Sequence, residues 1–156
     1  MSPATILCVD DHEPALALLK FLLEAKGYEV ILTTSPAKAL IVVTTGRDIQ
    51  LVITDFTMPV MSGGELIQEI RRWRPEMPII LFTGASNIHG VRGIGENVCL
   101  LKGDSSPEVL LTHTQKLINK GKDYGKQEPN RNQAIARRAG SMSAGNPRLL
   151  QNHRSN

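Results

Sequence analysis

The sequence predicts an α/β protein in which a doubly wound, parallel sheet of five strands carries helices on both faces. Two observations indicate this fold class. Short apolar runs alternate over roughly residues 4–120 with longer segments whose apolar residues recur at helical spacing. The short runs are also continuously apolar, as in strands buried on both faces of a sheet. Right-handed crossovers would then point every strand the same way and place helices on both sides.

Five runs are predicted strands because each is short, mainly aliphatic or β-branched, and bounded by turn residues. In chain order they are Thr5–Val9, Tyr28–Thr33, Leu51–Thr54, Pro78–Thr83 and Asn97–Leu101. Cys8 and Cys99 fall in the first and last of these runs. We interpret both cysteines as reduced strand residues and do not expect a disulfide.

Four segments are predicted helices from the spacing of their apolar residues. In chain order they are Pro14–Lys26, Pro36–Gly46, Gly64–Trp73 and Pro107–Lys120. Ser35 and Ser106 precede two of them as N-caps, and Gly27 follows the first helix as a C-terminal cap. The segment from Ala85 to Gly95 has three glycines and little helical pattern. We therefore expect a short, irregular or mobile helix between the fourth and fifth strands.

The charge is unevenly distributed over the 156 residues. The formal net charge is −2 over residues 1–121 and +5 over residues 122–156. The second part is rich in Asn, Gly, Ser and Arg, so we predict a folded domain over 1–121 and a disordered, basic tail over 122–156. Contact of that tail with nucleic acid is the less favoured interpretation, because it lacks interleaved aromatic residues and a helix-turn-helix pattern.

The sequence shows no sign of a membrane or secretory destination. No apolar stretch approaches the roughly 20 residues of a membrane span. The N-terminal residues lack the basic start and cleavage site of a secretory signal. We therefore expect a cytoplasmic protein without a membrane partner.

Polar residues stand at the carboxyl ends of four predicted strands, which meet at one edge of a parallel sheet. Asp10 and Asp11 follow the first strand, and Asp55 follows the third. Thr83 ends the fourth strand and Lys102 follows the fifth. Three close carboxylates repel one another unless a cation lies among them, and such oxygen ligands suit Mg²⁺. An ammonium and a hydroxyl suit phosphoryl oxygens, and a carboxylate can form an acyl phosphate, so Asp55 is a candidate nucleophile.

The sequence resembles the receiver domain of two-component response regulators over roughly residues 4–120. The resemblance rests on VDD at 9–11, TDFTMPVMSGGEL at 54–66, the strand-end Thr83, and LLK at 100–102. It implies a flavodoxin-like fold with Asp55 as phosphoacceptor. It also implies that Asp10, Asp11 and Asp55 bind Mg²⁺ together with the backbone carbonyl of Thr57. Lys102 would contact the phosphoryl group, and Thr83 would be the switch hydroxyl.

The same resemblance implies a phosphoprotein that is not a conventional turnover enzyme. Its partners would be a histidine kinase or phosphotransfer protein and an unknown output protein. A receiver module cut from a hybrid histidine kinase is an open alternative. A haloacid-dehalogenase-type phosphatase is the alternative from another class, but it needs an aspartate two residues after the nucleophile, where this sequence has Thr57.

Two positions depart from the family's usual pattern. Gly103 replaces the proline that usually follows the lysine, and Cys99 replaces the usual aromatic residue three positions before it. Glycine can turn the chain sharply at the first position. The loss of the aromatic side chain, together with the irregular segment before it, predicts a non-standard or weakened output surface beside an active site.

Overall fold

The computed structural model describes residues 2–85 and 98–125, with side chains described as far as residue 122. Within these ranges, five strands form one sheet: β1 (Thr5–Val9), β2 (Glu29–Thr33), β3 (Leu51–Thr54), β4 (Ile79–Thr83) and β5 (Val98–Leu101). Their order in the sheet is β2-β1-β3-β4-β5, and every neighbouring pair is parallel. The described helices are α1 (Glu13–Glu24), α2 (Pro36–Thr44), α3 (Gly63–Trp73) and α4 (Pro107–Gly125).

Helices cover both faces of the sheet, as predicted. Leu7 and Val9 of β1 face a buried cluster that includes residues of α2 and α3. Ile6 and Cys8 of the same strand face a second cluster, which includes residues of α1 and α4. This alternation follows from the two-residue period of a strand, which sends successive side chains to opposite faces. The predicted doubly wound, flavodoxin-like fold is confirmed.

The expectation that every strand is buried on both faces is wrong for the strands at the two edges. All four residues of β3 are buried, and so are four of the five residues of β1. In β2, by contrast, no residue is buried, and both Glu29 and Leu32 are exposed. Within the described residues β2 pairs only with β1, so one of its sides lacks a neighbouring strand.

Most predicted boundaries lie within one or two residues of the observed ones. The largest difference is at α4, which continues past Lys120 to Gly125, so the expected division between residues 121 and 122 falls inside a helix. The predicted irregular helix falls almost entirely on residues 86–97, outside the described residues, and so does the basic tail beyond residue 125. Both stay predictions, as does the domain boundary.

The two cysteines lie in different environments. Cys8 and Cys99 are both free, Cys8 buried and Cys99 exposed. Burial raises the pKa of the Cys8 thiol to about 12, so this thiol stays protonated at neutral pH.

Among the helices of the described ranges, none combines the length and the apolar character that crossing a membrane requires.

Candidate functional site

Four strands deliver a polar residue to one edge of the sheet. Asp10 follows β1, Asp55 follows β3, and Lys102 follows β5, while Thr83 is the last residue of β4. The parallel register of β1 and β3 brings the two aspartates out side by side. The backbone N–H of Asp55 donates to the carbonyl of Val9 at 2.9 Å, which ties the third strand end to the first.

Asp10, Asp11 and Asp55 form what we call the acidic cluster. Each of them offers one carboxylate oxygen, and these oxygens all lie within 4.8 Å of one another. Asp10 is 2% exposed and Asp55 is 8% exposed, whereas Asp11 is exposed. Two largely buried carboxylates so close together need a compensating charge, because burying an unpaired charge is costly.

Lys102 supplies part of that charge. Its Nζ donates to Oδ2 of Asp10 at 2.6 Å and to Oδ1 of Asp55 at 3.4 Å. The lysine side chain is only 27% exposed. The other carboxylate oxygen of Asp10, Oδ1, accepts from the backbone N–H of His12 at 2.9 Å. Both oxygens of Asp10 are therefore engaged by donors of the chain itself.

The remaining charge and the donor set fit a divalent ion. Three carboxylates and one ammonium leave a formal charge of −2 at the site. The carboxylate oxygens are hard ligands, and the exposure of Asp11 leaves an open side on which an ion could retain water. The acidic cluster thus has the chemistry of a Mg²⁺ site that is completed by waters or by an anion.

The two threonines occupy different environments. Thr83 is fully buried, and its hydroxyl oxygen accepts from the backbone N–H of Ala85 at 3.2 Å. Its backbone carbonyl accepts from the N–H of Lys102 at 2.7 Å, so the ends of β4 and β5 are joined. Thr57 lies in the loop after β3 and is exposed. The described hydrogen bonds join neither threonine side chain to the acidic cluster.

A close backbone approach shapes the loop between β3 and α3. The N–H of Gly63 donates to the carbonyl of Phe56 at 2.8 Å. A Cβ at Gly63 would lie 2.0 Å from the backbone oxygen of Asp55, which no side chain could tolerate. Glycine is therefore required at this position by the path of the chain beside the phosphoacceptor candidate.

A capping box starts α3 immediately after this approach. The Ser62 hydroxyl accepts from the N–H of Glu65, and the Glu65 carboxylate accepts from the Ser62 N–H at 2.8 Å. The backbone N–H of Ser62 and its hydroxyl, which donates to the same carboxylate at 2.9 Å, together lower the pKa of the Glu65 carboxyl below its usual value. This capping box was not among the predicted features, although a serine followed three residues later by glutamate is its signature.

Sequence reasoning also missed an aromatic contact at the site. The Nζ of Lys102 lies over the ring of Phe82, 5.8 Å from its centroid. No motif could have revealed it, because it depends on the register of β4 and β5 and on the direction of both side chains. At the two positions that depart from the usual pattern, Gly103 adopts φ +93° and Cys99 is an exposed strand residue.

An acidic cluster and a lysine at the carboxyl edge of a doubly wound parallel sheet define the receiver class of signalling domains. The chain belongs to the response regulator receiver domain family, which it matches over residues 6–112. This confirms the resemblance inferred from the motifs.

Individual relatives agree with this assignment. The chain is 38% identical over 86 residues to the transcriptional regulatory protein GlrR of Escherichia coli K12, covering 55% of this chain and 19% of that protein. A receiver domain from Clostridium thermocellum superposes with a TM-score of 0.69 at 32% identity, covering 76% of this chain and 97% of that one. TrrA of Thermotoga maritima, solved in complex with Mg²⁺ and BeF, superposes with a TM-score of 0.66 at 32% identity, covering 73% and 98%. The chain thus spans about a fifth of the length of GlrR but nearly all of the solved receiver domains.

Proposed function

We propose that this receiver domain accepts a phosphoryl group onto Asp55 in a Mg²⁺-dependent reaction. The donor would be a phosphohistidine on a histidine kinase or a phosphotransfer protein. The observation that carries the proposal is the convergence of three carboxylates within 4.8 Å, with the Lys102 ammonium donating to two of them. The relative TrrA was solved in complex with Mg²⁺ and BeF, which supports Mg²⁺-dependent phosphoryl chemistry for this domain as well.

In this reaction, a carboxylate oxygen of Asp55 forms a bond to phosphorus while the phosphorus–nitrogen bond of the donor breaks. The imidazole nitrogen leaves with the electron pair of that bond and takes up one proton from solvent, so the donor histidine ends as neutral imidazole. Such transfers need positioning and neutralisation of charge more than covalent participation by other groups. Asp55 suits this role because the hydrogen bond from its backbone N–H to the carbonyl of Val9 holds it at the strand end.

Asp10, Asp11, Asp55 and the backbone carbonyl of Thr57 would hold the metal ion. When bound, Mg²⁺ supplies positive charge to the phosphoryl oxygens. Lys102 already lies 3.4 Å from Oδ1 of Asp55 and would contact a phosphoryl oxygen attached there. Its ammonium is a compact point charge well suited to that contact.

The buried Thr83 hydroxyl would report the phosphorylated state to the protein surface. Among the described residues its hydroxyl accepts from the N–H of Ala85, so turning toward a phosphoryl oxygen would release that amide. The modified state would shift a two-state equilibrium of a surface that binds an output protein, and hydrolysis of the acyl phosphate would reset it.

Intact-mass spectrometry after incubation with acetyl phosphate and Mg²⁺ tests the proposal. The chain should gain one phosphoryl group, and the gain should be absent in Asp55→Ala and in the presence of EDTA. Asp48→Asn is the matched control, since Asp48 is an exposed aspartate that lies outside the acidic cluster. A gain that persists in Asp55→Ala, or no gain in the unmodified chain, would refute the proposal.

A further inference from the structure

Phe82 lies between the apolar core and the charged site. It belongs to β4, immediately before Thr83, and it pairs in register with Leu100 of β5. It is partly buried and packs against the cluster of buried residues beneath α1 and α4. The same ring lies under the ammonium of Lys102, 5.8 Å from Nζ to the ring centroid.

The position of the Phe82 ring restricts the conformations that the Lys102 side chain can adopt. A lysine side chain has four flexible carbons and loses considerable rotamer freedom when it is fixed in one geometry. An aromatic face attracts a cation within about 6 Å, and the attraction grows as the pair is withdrawn from water. At 27% exposure, the side chain of Lys102 is largely withdrawn from solvent.

Three groups therefore fix one nitrogen atom. The Phe82 ring lies on one side of Nζ, and the carboxylates of Asp10 and Asp55 accept its hydrogen bonds at 2.6 and 3.4 Å. The ring has no hydrogen bond to make, so it can hold the ammonium without competing for the protons that the oxygens require.

We infer that Phe82 is a positioning residue that holds the Lys102 ammonium over Asp10 and Asp55 through a cation–π contact. The inference rests on the proposed function, because it assigns Phe82 a part in phosphoryl transfer to Asp55. Phe82 touches neither substrate nor metal in this account. Its effect passes entirely through Lys102.

The first test is geometric and needs no phosphorylation. In NMR spectra of the lysine-labelled chain, the ε-methylene protons of Lys102, assigned by their loss in Lys102→Met, should be shifted upfield by the ring current. The shift should vanish in Phe82→Leu, which keeps an apolar side chain but removes the ring, and persist in Phe82→Tyr. An unshifted Lys102 signal in the unmodified chain would overturn the inference.

The second test measures the rate of phosphorylation by acetyl phosphate. Phe82→Leu should lower the rate about two- to fivefold, the factor expected for a cation–π contact at a partly exposed site. Phe82→Tyr should keep the rate. Phe21→Leu is the matched control, because that ring is 72% exposed on α1 and should not affect the rate.

A double-mutant cycle separates positioning from a general packing defect. In a Lys102→Met background, followed over long incubations, Phe82→Leu should cause no further loss of rate. An equal loss in both backgrounds, or no loss in either, would overturn the inference. If the unmodified chain takes up no phosphoryl group, the proposed function fails while the ring-current measurement still decides whether Phe82 holds Lys102.

Discussion

Lys102 sets the charge of the acidic cluster when no metal is bound. It donates to the two least exposed carboxylates, and without it the cluster would carry three negative charges within 4.8 Å. The same ammonium engages Oδ2 of Asp10, and the backbone N–H of His12 engages Oδ1. If Asp10 binds Mg²⁺ as proposed, the ion would share a carboxylate that is already engaged, so Lys102 would compete with it in part.

We expect Lys102→Met to lower the free energy of unfolding in EDTA by about 1–3 kcal/mol, because Asp10 is left buried without its cationic partner. Added Mg²⁺ should recover more stability in this variant than in the unmodified chain, since the ion restores the missing charge and meets no competitor. Urea titrations with and without Mg²⁺ measure both quantities.

Lys20→Met is the control for this prediction. Lys20 forms a solvent-exposed pair with Glu24 at 3.9 Å, and such pairs contribute little to stability. Its loss should change stability by less than about 0.5 kcal/mol. A Lys102→Met variant as stable in EDTA as the Lys20→Met variant would contradict the account of the charge balance.

Gly63 is the second residue with a specific steric role. Gly63→Ala should lower the free energy of unfolding by about 1–3 kcal/mol, because its Cβ would collide with the backbone at Asp55 and force the loop to shift. Gly84→Ala is the control, since no atom of the described residues lies within 4 Å of a Cβ placed there. Chemical denaturation measures the free energy of unfolding of both variants. A Gly63→Ala chain as stable as the unmodified chain would contradict the close packing of position 63 against the backbone of Asp55.

Among the elements, α4 contains a position where local helix propensity can be improved. Gly121 lies inside the helix, and a Cβ there would make an ordinary contact of 3.9 Å with Pro78. Gly121→Ala should raise the free energy of unfolding by about 0.5–1 kcal/mol, because alanine loses less backbone entropy than glycine in a helix.

A glycine-to-alanine substitution should lower the free energy of unfolding where the glycine has a positive φ outside a helix. Gly103 adopts φ +93°, a region that side chains rarely enter, so Gly103→Ala should destabilise the chain. Thermal or urea unfolding of Gly121→Ala and Gly103→Ala measures the two changes in stability. Destabilisation by Gly121→Ala would indicate that the helix does not extend through this position.

For the molecule as a whole, the sequence was most informative where one physical rule determines the outcome. Alternation of apolar runs and helical segments predicted the doubly wound sheet, since strands joined by helices become parallel neighbours. The positions of Asp10, Asp55 and Lys102 at strand ends predicted that they would meet, and their side chains do lie in contact distance.

The remaining features depend on information that the sequence does not carry locally. The exposure of β2 follows from its edge position in the sheet, which composition alone does not specify. The contact of Phe82 with Lys102 requires the strand register and two side-chain directions at once. The capping box of Ser62 and Glu65, by contrast, was present in the sequence as a recognisable signature.

The most direct test of the phosphoacceptor assignment locates the phosphoryl group chemically. Borohydride reduces an aspartyl phosphate to homoserine with release of phosphate, which marks the modified residue permanently. After incubation with acetyl phosphate and Mg²⁺, peptide sequencing should find homoserine at position 55 and at no other aspartate. Homoserine at position 10 or 11 instead, or none at position 55 in a chain that has gained a phosphoryl group, would contradict the assignment.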